Sequence, residues 1–224
     1  MKHRYWLVIV LLLGVAGAAW AQAPGVVRAT AFELVDDQGR TRAELWMGSD
    51  GPGLIFRDEN GNVRIGLIQI GKSMVLYFTD ENNNIKVSLG VGKDSSGLSF
   101  YNENSLLSAM MKIDEKGPEI SLYDETGKLC IGLGVNKEGT ELIFYDQQNN
   151  EERIRLDVRL GVFSDLILSD WYGKTSIGLT IDPGGPCLWL RDENGETRAY
   201  LNISKDGPGL KLYDENGKEI WLAP

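Results

Sequence analysis

One histidine, His3, occurs in the 224 residues, and it precedes an apolar run from Trp6 to Ala19 that reads as part of a leader. Without the leader the chain has no imidazole. His-activated nucleophiles, His-containing metal sites and His proton shuttles then have no residue to run on. Carboxylates are the abundant reactive groups, 32 Asp and Glu against 23 Lys and Arg. Pairs such as Asp58-Glu59, Asp80-Glu81, Asp124-Glu125, Asp192-Glu193 and Asp214-Glu215 could act as acid and base in hydrolysis. They could also offer oxygens to calcium. Either use needs one enclosed cluster, whereas these pairs recur down the whole chain. Copies two strands apart stand about 9.6 Å from each other, too far to share an ion. The expectation is no catalytic residue, no metal and no cofactor.

The second available chemistry is recognition. Tyr101, Tyr123, Tyr145 and Tyr213 stand immediately before an Asp or Asn, and Arg57 and Arg191 hold the same place elsewhere. Arg64 and Arg198 fall six residues after such an Asp, on the opposing strand. A face of Tyr and Arg suits a glycan or an anionic polymer, although such residues also lay rings and stems across any sheet surface. Nucleic acid is excluded as a partner. The formal charge is −9, falling to −11 without Lys2 and Arg4, and phosphate backbones require basic patches.

The elements that hold these residues repeat. Anchor residues fall at 36, 58, 80, 102, 124, 146, 170, 192 and 214, a 22-residue period with one step of 24, which marks a repeat architecture of about nine units. Counting from the anchor as zero, −2 is Leu34, Phe56, Phe78, Phe100, Leu122, Phe144, Leu168, Leu190 and Leu212. Positions −4, +7, +9 and +11 are also mostly apolar. Alternation at every second residue argues for half-buried strands. Asn-Gly at +2/+3 suits a two-residue type I′ turn, which pairs −2 with +7 and −4 with +9. A second two-residue turn at +14/+15, as in Asp50-Gly51 and Asp206-Gly207, pairs +11 with the next −4. The expected fold is all-β, an antiparallel β-hairpin repeat forming a curled or superhelical meander sheet. A parallel β-solenoid is the alternative.

Along the chain, residues 1–21 read as a signal peptide with a basic start and an Ala19-Trp20-Ala21 cleavage site. Residues 22–30 are a lead-in, and 31–224 form a single repeat domain with no membrane span after cleavage. Extra residues near Gln147–Arg153 and Arg159–Asp165 suggest bulges that redirect the sheet. The terminal Pro224 would blunt an edge strand. Cys130 and Cys187 fall five strands apart, beyond the ~7 Å reach of a disulfide.

One stretch breaks the polar character of the second face. The expected register sets Trp46 opposite Ile55, Ile68 opposite Tyr77 and Ile70 opposite Val75. Six large apolar groups there would form a patch of interaction-site size, for self-association, for partner docking or for burial by the sheet itself.

Tyr123-Asp124/Gly127-Lys128 and Tyr213-Asp214/Gly217-Lys218 resemble the turn of the YD (Rhs) repeat of secreted bacterial shell proteins. The resemblance implies a hairpin repeat that wraps into a sheet. It covers only the turn, because the earlier Tyr of that motif is Ser121 or Lys211 here, so encapsulation is not carried over. The spacing is also similar to MORN and choline-binding hairpins, whose aromatic patterns are absent, and to secreted bacterial Leu-x-Leu-x-Asp-x-x-Gly-x-x-Arg repeats. These features together lead to an expected secreted, non-enzymatic scaffold or interaction protein in the periplasm, at the cell surface or outside the cell. Its partner would be a second copy, or an envelope protein or glycan. A carbohydrate- or anionic-polymer-binding module is the alternative.

Overall fold

A computed structural model describes residues 26–223 except 162 and 173. The leader 1–21 and Pro224 lie outside the described residues. Eighteen strands follow one another in hairpins. They are β1 (Ala31–Val35), β2 (Thr41–Met47), β3 (Pro52–Arg57), β4 (Val63–Ile70), β5 (Ser73–Thr79) and β6 (Ile85–Val91). Next come β7 (Ser95–Tyr101), β8 (Leu107–Asp114), β9 (Gly117–Tyr123), β10 (Leu129–Val135), β11 (Gly139–Tyr145) and β12 (Glu152–Arg159). The last six are β13 (Phe163–Ser169), β14 (Thr175–Asp182), β15 (Gly185–Arg191), β16 (Thr197–Ser204), β17 (Gly207–Tyr213) and β18 (Glu219–Ala223).

Each strand pairs antiparallel with its sequence neighbours, and strand-to-strand contacts are confined to those neighbours. The result is one open meander sheet, neither solenoid nor barrel. The expected pairing of −2 with +7 and −4 with +9 is present, as Phe78 opposite Val87 and Leu76 opposite Leu89.

The hairpin tip differs from the expected type I′ turn. In the second repeat the Gly61 N–H donates to the Asp58 carbonyl at 3.1 Å, and the Asp58 N–H donates to the Asn62 carbonyl at 2.9 Å. Only the +3 residue is left-handed, Gly61 at φ 87°. This is a type I turn from Asp58 to Gly61 closed by a bulge of the kind that carries a left-handed Gly. The bulge falls between Phe56 and Arg57. It absorbs the extra loop residue, which is how a three-residue loop coexists with the −2/+7 register. The anchor Asp drives the choice. Its Oδ1 accepts the backbone N–H groups of Asn60 and Asn62, each at 2.9 Å, and such side-chain capping favours Asp at the first turn position.

The return turn is also corrected. Ile70 pairs with Ser73 around Gly71-Lys72, and Leu89 pairs with Leu98 where Val91 was expected. The +15 glycine therefore follows the turn and opens the next strand. Its lack of a side chain is needed there. A β-carbon on Gly117, Gly139 or Gly185 would lie 2.0 Å from the carbonyl oxygen of Val135, Val158 or Ile203. The shift moves each pair by two residues, so the assignment of side chains to faces is unaffected. The pairs proposed for the apolar patch do change. Trp46 faces Gly53, Ile55 faces Glu44 and Gly66, Ile68 faces Val75, and Tyr77 faces Gly66 and Ser88.

The extra residues of the sixth repeat sit in turns and do not bulge a strand. The Asn150 N–H donates to the Asp146 carbonyl at 2.9 Å, and Arg159 pairs with Phe163 across a longer connection. Apart from tip bulges at Phe144/Tyr145 and Leu168/Ser169, of the kind other repeats carry, the ladder keeps its register through both places.

Candidate functional site

The sheet presents two chemically distinct faces. On one, three rows of apolar side chains run across the strands. Phe32, Leu45, Leu54, Leu67 and Leu76 begin the central row. It continues through Leu133 and Leu142 to Leu201 and Leu210, strand opposite strand. A flanking row includes Phe56, Phe78, Phe100 and Phe144, and the other includes Val91, Ile113 and Ile203. None of the three rows contains a charged residue; Gln69, Ser96, Thr140 and Ser164 are their polar members. These side chains lie open: Leu89 is 43 % exposed, Met111 55 % and Leu179 49 %. Among the described residues only Ala43, Ile55 and Ile143 are buried hydrophobics.

The opposite face carries the Tyr and Arg residues. Most of its arginines stand beside local acids. Arg42 lies 3.5 Å from Asp36, Arg64 3.9 Å from Asp58 and Lys86 3.2 Å from Asp80, while Arg198 bonds Asp192. Arg57 approaches Glu44 at 3.9 Å, and the Arg191 guanidinium sits 4.4 Å from the centre of the Trp189 ring. Tyr101, Tyr123 and Tyr145 stand on β7, β9 and β11, one repeat apart, and Tyr213 lies three repeats further on β17. The structure thus brings three of the four Tyr into one row, sets Arg57, Arg64 and Arg198 beside acids and stacks Arg191 on Trp189.

The six residues of the apolar patch, Trp46, Ile55, Ile68, Ile70, Val75 and Tyr77, lie on β2 to β5. Ile55 is 5 % exposed and Ile70 55 %; the other four are half-buried. The Trp46 ring covers Gly53 and the Tyr77 ring covers Gly66, each where a β-carbon would otherwise stand. Gly178 is covered by Trp189 in the same way. Aromatic rings laid over strand glycines protect backbone that has no side chain of its own.

Other glycines on this face are not covered by a ring, among them Gly90, Gly132 and Gly134. Gly132 and Gly134 on β10 floor a trough of about 220 Å³ whose walls include Glu119, Glu141, Ile143 and Tyr145. Gly134 pairs with Glu119 on one side and with Glu141 on the other. Lys112 lies 3.1 Å from Glu119, and Arg155 lies 3.9 Å from Glu141. Burial is the largest influence on Glu119 and works to raise its pKa. The Ser121 hydroxyl and Lys112 nonetheless hold it below the usual carboxylate range. Burial foremost, then the Glu152 and Glu141 carboxylates, push the Tyr145 hydroxyl up. Two acceptors and a phenol thus face a flat backbone floor. The sequence signal for the trough is a pair of glycines at +8 and +10 with no Trp or Tyr at −3 of the neighbouring repeats, and it becomes legible only in the corrected register.

No protein-family model matches the chain, and no curated protein matches it.

The acidic tips are structural. Every anchor from Asp36 to Asp214 accepts backbone N–H groups of its own turn. Side-chain donors then join each turn to the next. Arg40 reaches the Glu59 carbonyl at 3.3 Å, Asn62 the Glu81 carbonyl at 3.3 Å and Lys86 the Asn102 carbonyl at 2.9 Å. Asn102 reaches Glu125 at 3.2 Å, and Lys128 reaches Gln147 at 2.8 Å. Arg153, Lys174 and Arg198 complete the series at Asp170, Glu193 and Asp214. No cluster of described residues has the arrangement of a metal site. Cys130 and Cys187 are free thiols on β10 and β15.

Proposed function

We propose that the chain is a non-enzymatic scaffold or interaction protein of the cell envelope or surface, exported through the leader at 1–21. Uniformity carries the reading. The same apolar rows and the same joined turns recur in every repeat, whereas a catalytic centre depends on residues that differ from their surroundings. The decisive test is fractionation of the native host. Recovery in the envelope or medium, without residues 1–21, supports the proposal; an unprocessed cytosolic chain defeats it.

The trough over Gly132 and Gly134 favours a second, narrower reading, binding of a neutral sugar ring. A ring lying on glycine backbone repeats what Trp189 does over Gly178, and Glu119 and Glu141 are placed to accept hydroxyl protons. Anionic polymers are disfavoured because the Glu119 and Glu141 carboxylates flank the floor on both sides. A glycan array tests this reading. Saturable binding that Tyr145→Ala and Glu141→Gln abolish supports it, and binding indifferent to both changes removes it.

A further inference from the structure

The apolar face is too large to be an ordinary solvent surface. Eighteen strands at about 4.8 Å extend it to roughly 80 Å, and three alternate residues make it about 17 Å wide. Its footprint is on the order of 1,400 Å², against the ~300–600 Å² of the largest patch on a typical monomer. Antiparallel sheets leave one face in water, and the other is ordinarily packed.

We propose that a second copy of this chain covers the face, as two sheets packed apolar side to apolar side about 10 Å apart. This inference does not depend on where the protein resides or on whether it binds sugar. Four observations favour the second copy. The first is extent: the occupant must be apolar over the same length and width, and a copy matches both. The second is pattern. The central row of Leu, Ile and Met repeats strand by strand, so a two-fold axis sets row against row, as an isologous interface requires. The third is area, since full overlap buries roughly 3,000 Å² in total, within the range of obligate dimers. The fourth is charge. The face itself carries none, so two chains of charge −9 meet without opposed charges at the contact. That same net charge, with acidic tips along the rims, disfavours an anionic lipid surface. The apolar run Trp6 to Ala19 cannot substitute, because 14 residues span about 21 Å as a helix or ~48 Å extended.

Sedimentation equilibrium of the protein recovered from its native host tests the proposal. The expected particle has twice the mass of the exported chain, and its thermal midpoint rises with protein concentration. Leu89→Lys, on the central row, is expected to lower the association constant at least a hundredfold or to unfold the chain. Gly90→Lys is the control. It points to the opposite face, where no heavy atom lies within 4 Å of the new β-carbon, and it should leave the dimer intact. A monomer with a concentration-independent midpoint overturns the proposal. So does an oligomer that Leu89→Lys leaves unchanged, or a monomer that binds vesicles of phosphatidylglycerol.

Discussion

The Trp189 indole lies over Gly178, directly opposite it in the ladder, so closely that a β-carbon on Gly178 would come within 1.9 Å of the ring. The glycine is therefore a receptacle. Gly178→Ala is expected to displace the ring and cost about 1–3 kcal/mol by overpacking. Urea unfolding measures the cost, and tryptophan fluorescence should shift to the red as the indole moves into water.

Tyr77 stands in the same relation to Gly66. The double change Ile68→Lys with Tyr77→Lys removes that cover together with a half-buried aliphatic neighbour. A loss on the order of 2 kcal/mol is expected. If the melting temperature instead stayed fixed while an assembly dissociated, the six-residue patch would be an interface between molecules.

Turn acceptors should tolerate one substitution and not another. Asn102 occupies an anchor position and accepts the Asn104 and Leu106 N–H groups at 2.9 and 3.0 Å, as the Asp anchors do in their own turns. Asp58→Asn should thus keep the turn and nearly all of the stability. Asp58→Ala removes the acceptor and should lower the urea midpoint clearly.

Acid should weaken the fold within a defined window. The Arg40 backbone N–H, the largest influence, and the Arg40 side chain bring Asp36 from 3.8 to about 2. At Asp80 desolvation is the largest influence and opposes the shift, but the Asn84 N–H and Lys86 still bring it to about 2. A depressed carboxylate stabilises the fold above its unfolded value, and that contribution disappears as pH falls through the folded value. Thermal midpoints should be level from pH 7 to about 5 and decline from about 4 to about 2. Asp36→Asn combined with Asp80→Asn should flatten part of that decline.

Because β10 and β15 are not neighbours, the thiols of Cys130 and Cys187 cannot bridge within one sheet. Both should react with a maleimide in the folded, unreduced chain. A peptide map of the monomer showing an intramolecular Cys130–Cys187 bridge would contradict the meander.

The period, the strand content and the division into faces were legible in the sequence because alternation of apolar residues survives any register shift of two. Turn type was not. Asn60-Gly61 fits the composition of a type I′ turn, and what overrides it is the Asp58 carboxylate, whose two backbone bonds favour a type I turn with a bulge. Gly51 suits a turn by composition but stands just before β3, because a left-handed backbone position and a turn both call for glycine. That single misplacement conceals the Trp46–Gly53 and Tyr77–Gly66 pairs, and with them the contrast to the ring-free floor at Gly132 and Gly134.

Contacts only between successive strands give the sheet an unusual mechanical character. Pulled by its two ends, it peels from an edge, and a strand's ladder opens bond by bond, never all bonds at once. Each 22-residue unit released leaves a new edge of the same construction as the old one. The chain would therefore pay out length in equal increments at nearly constant force, like a tape unwound from a roll, and could rewind from whatever edge remained.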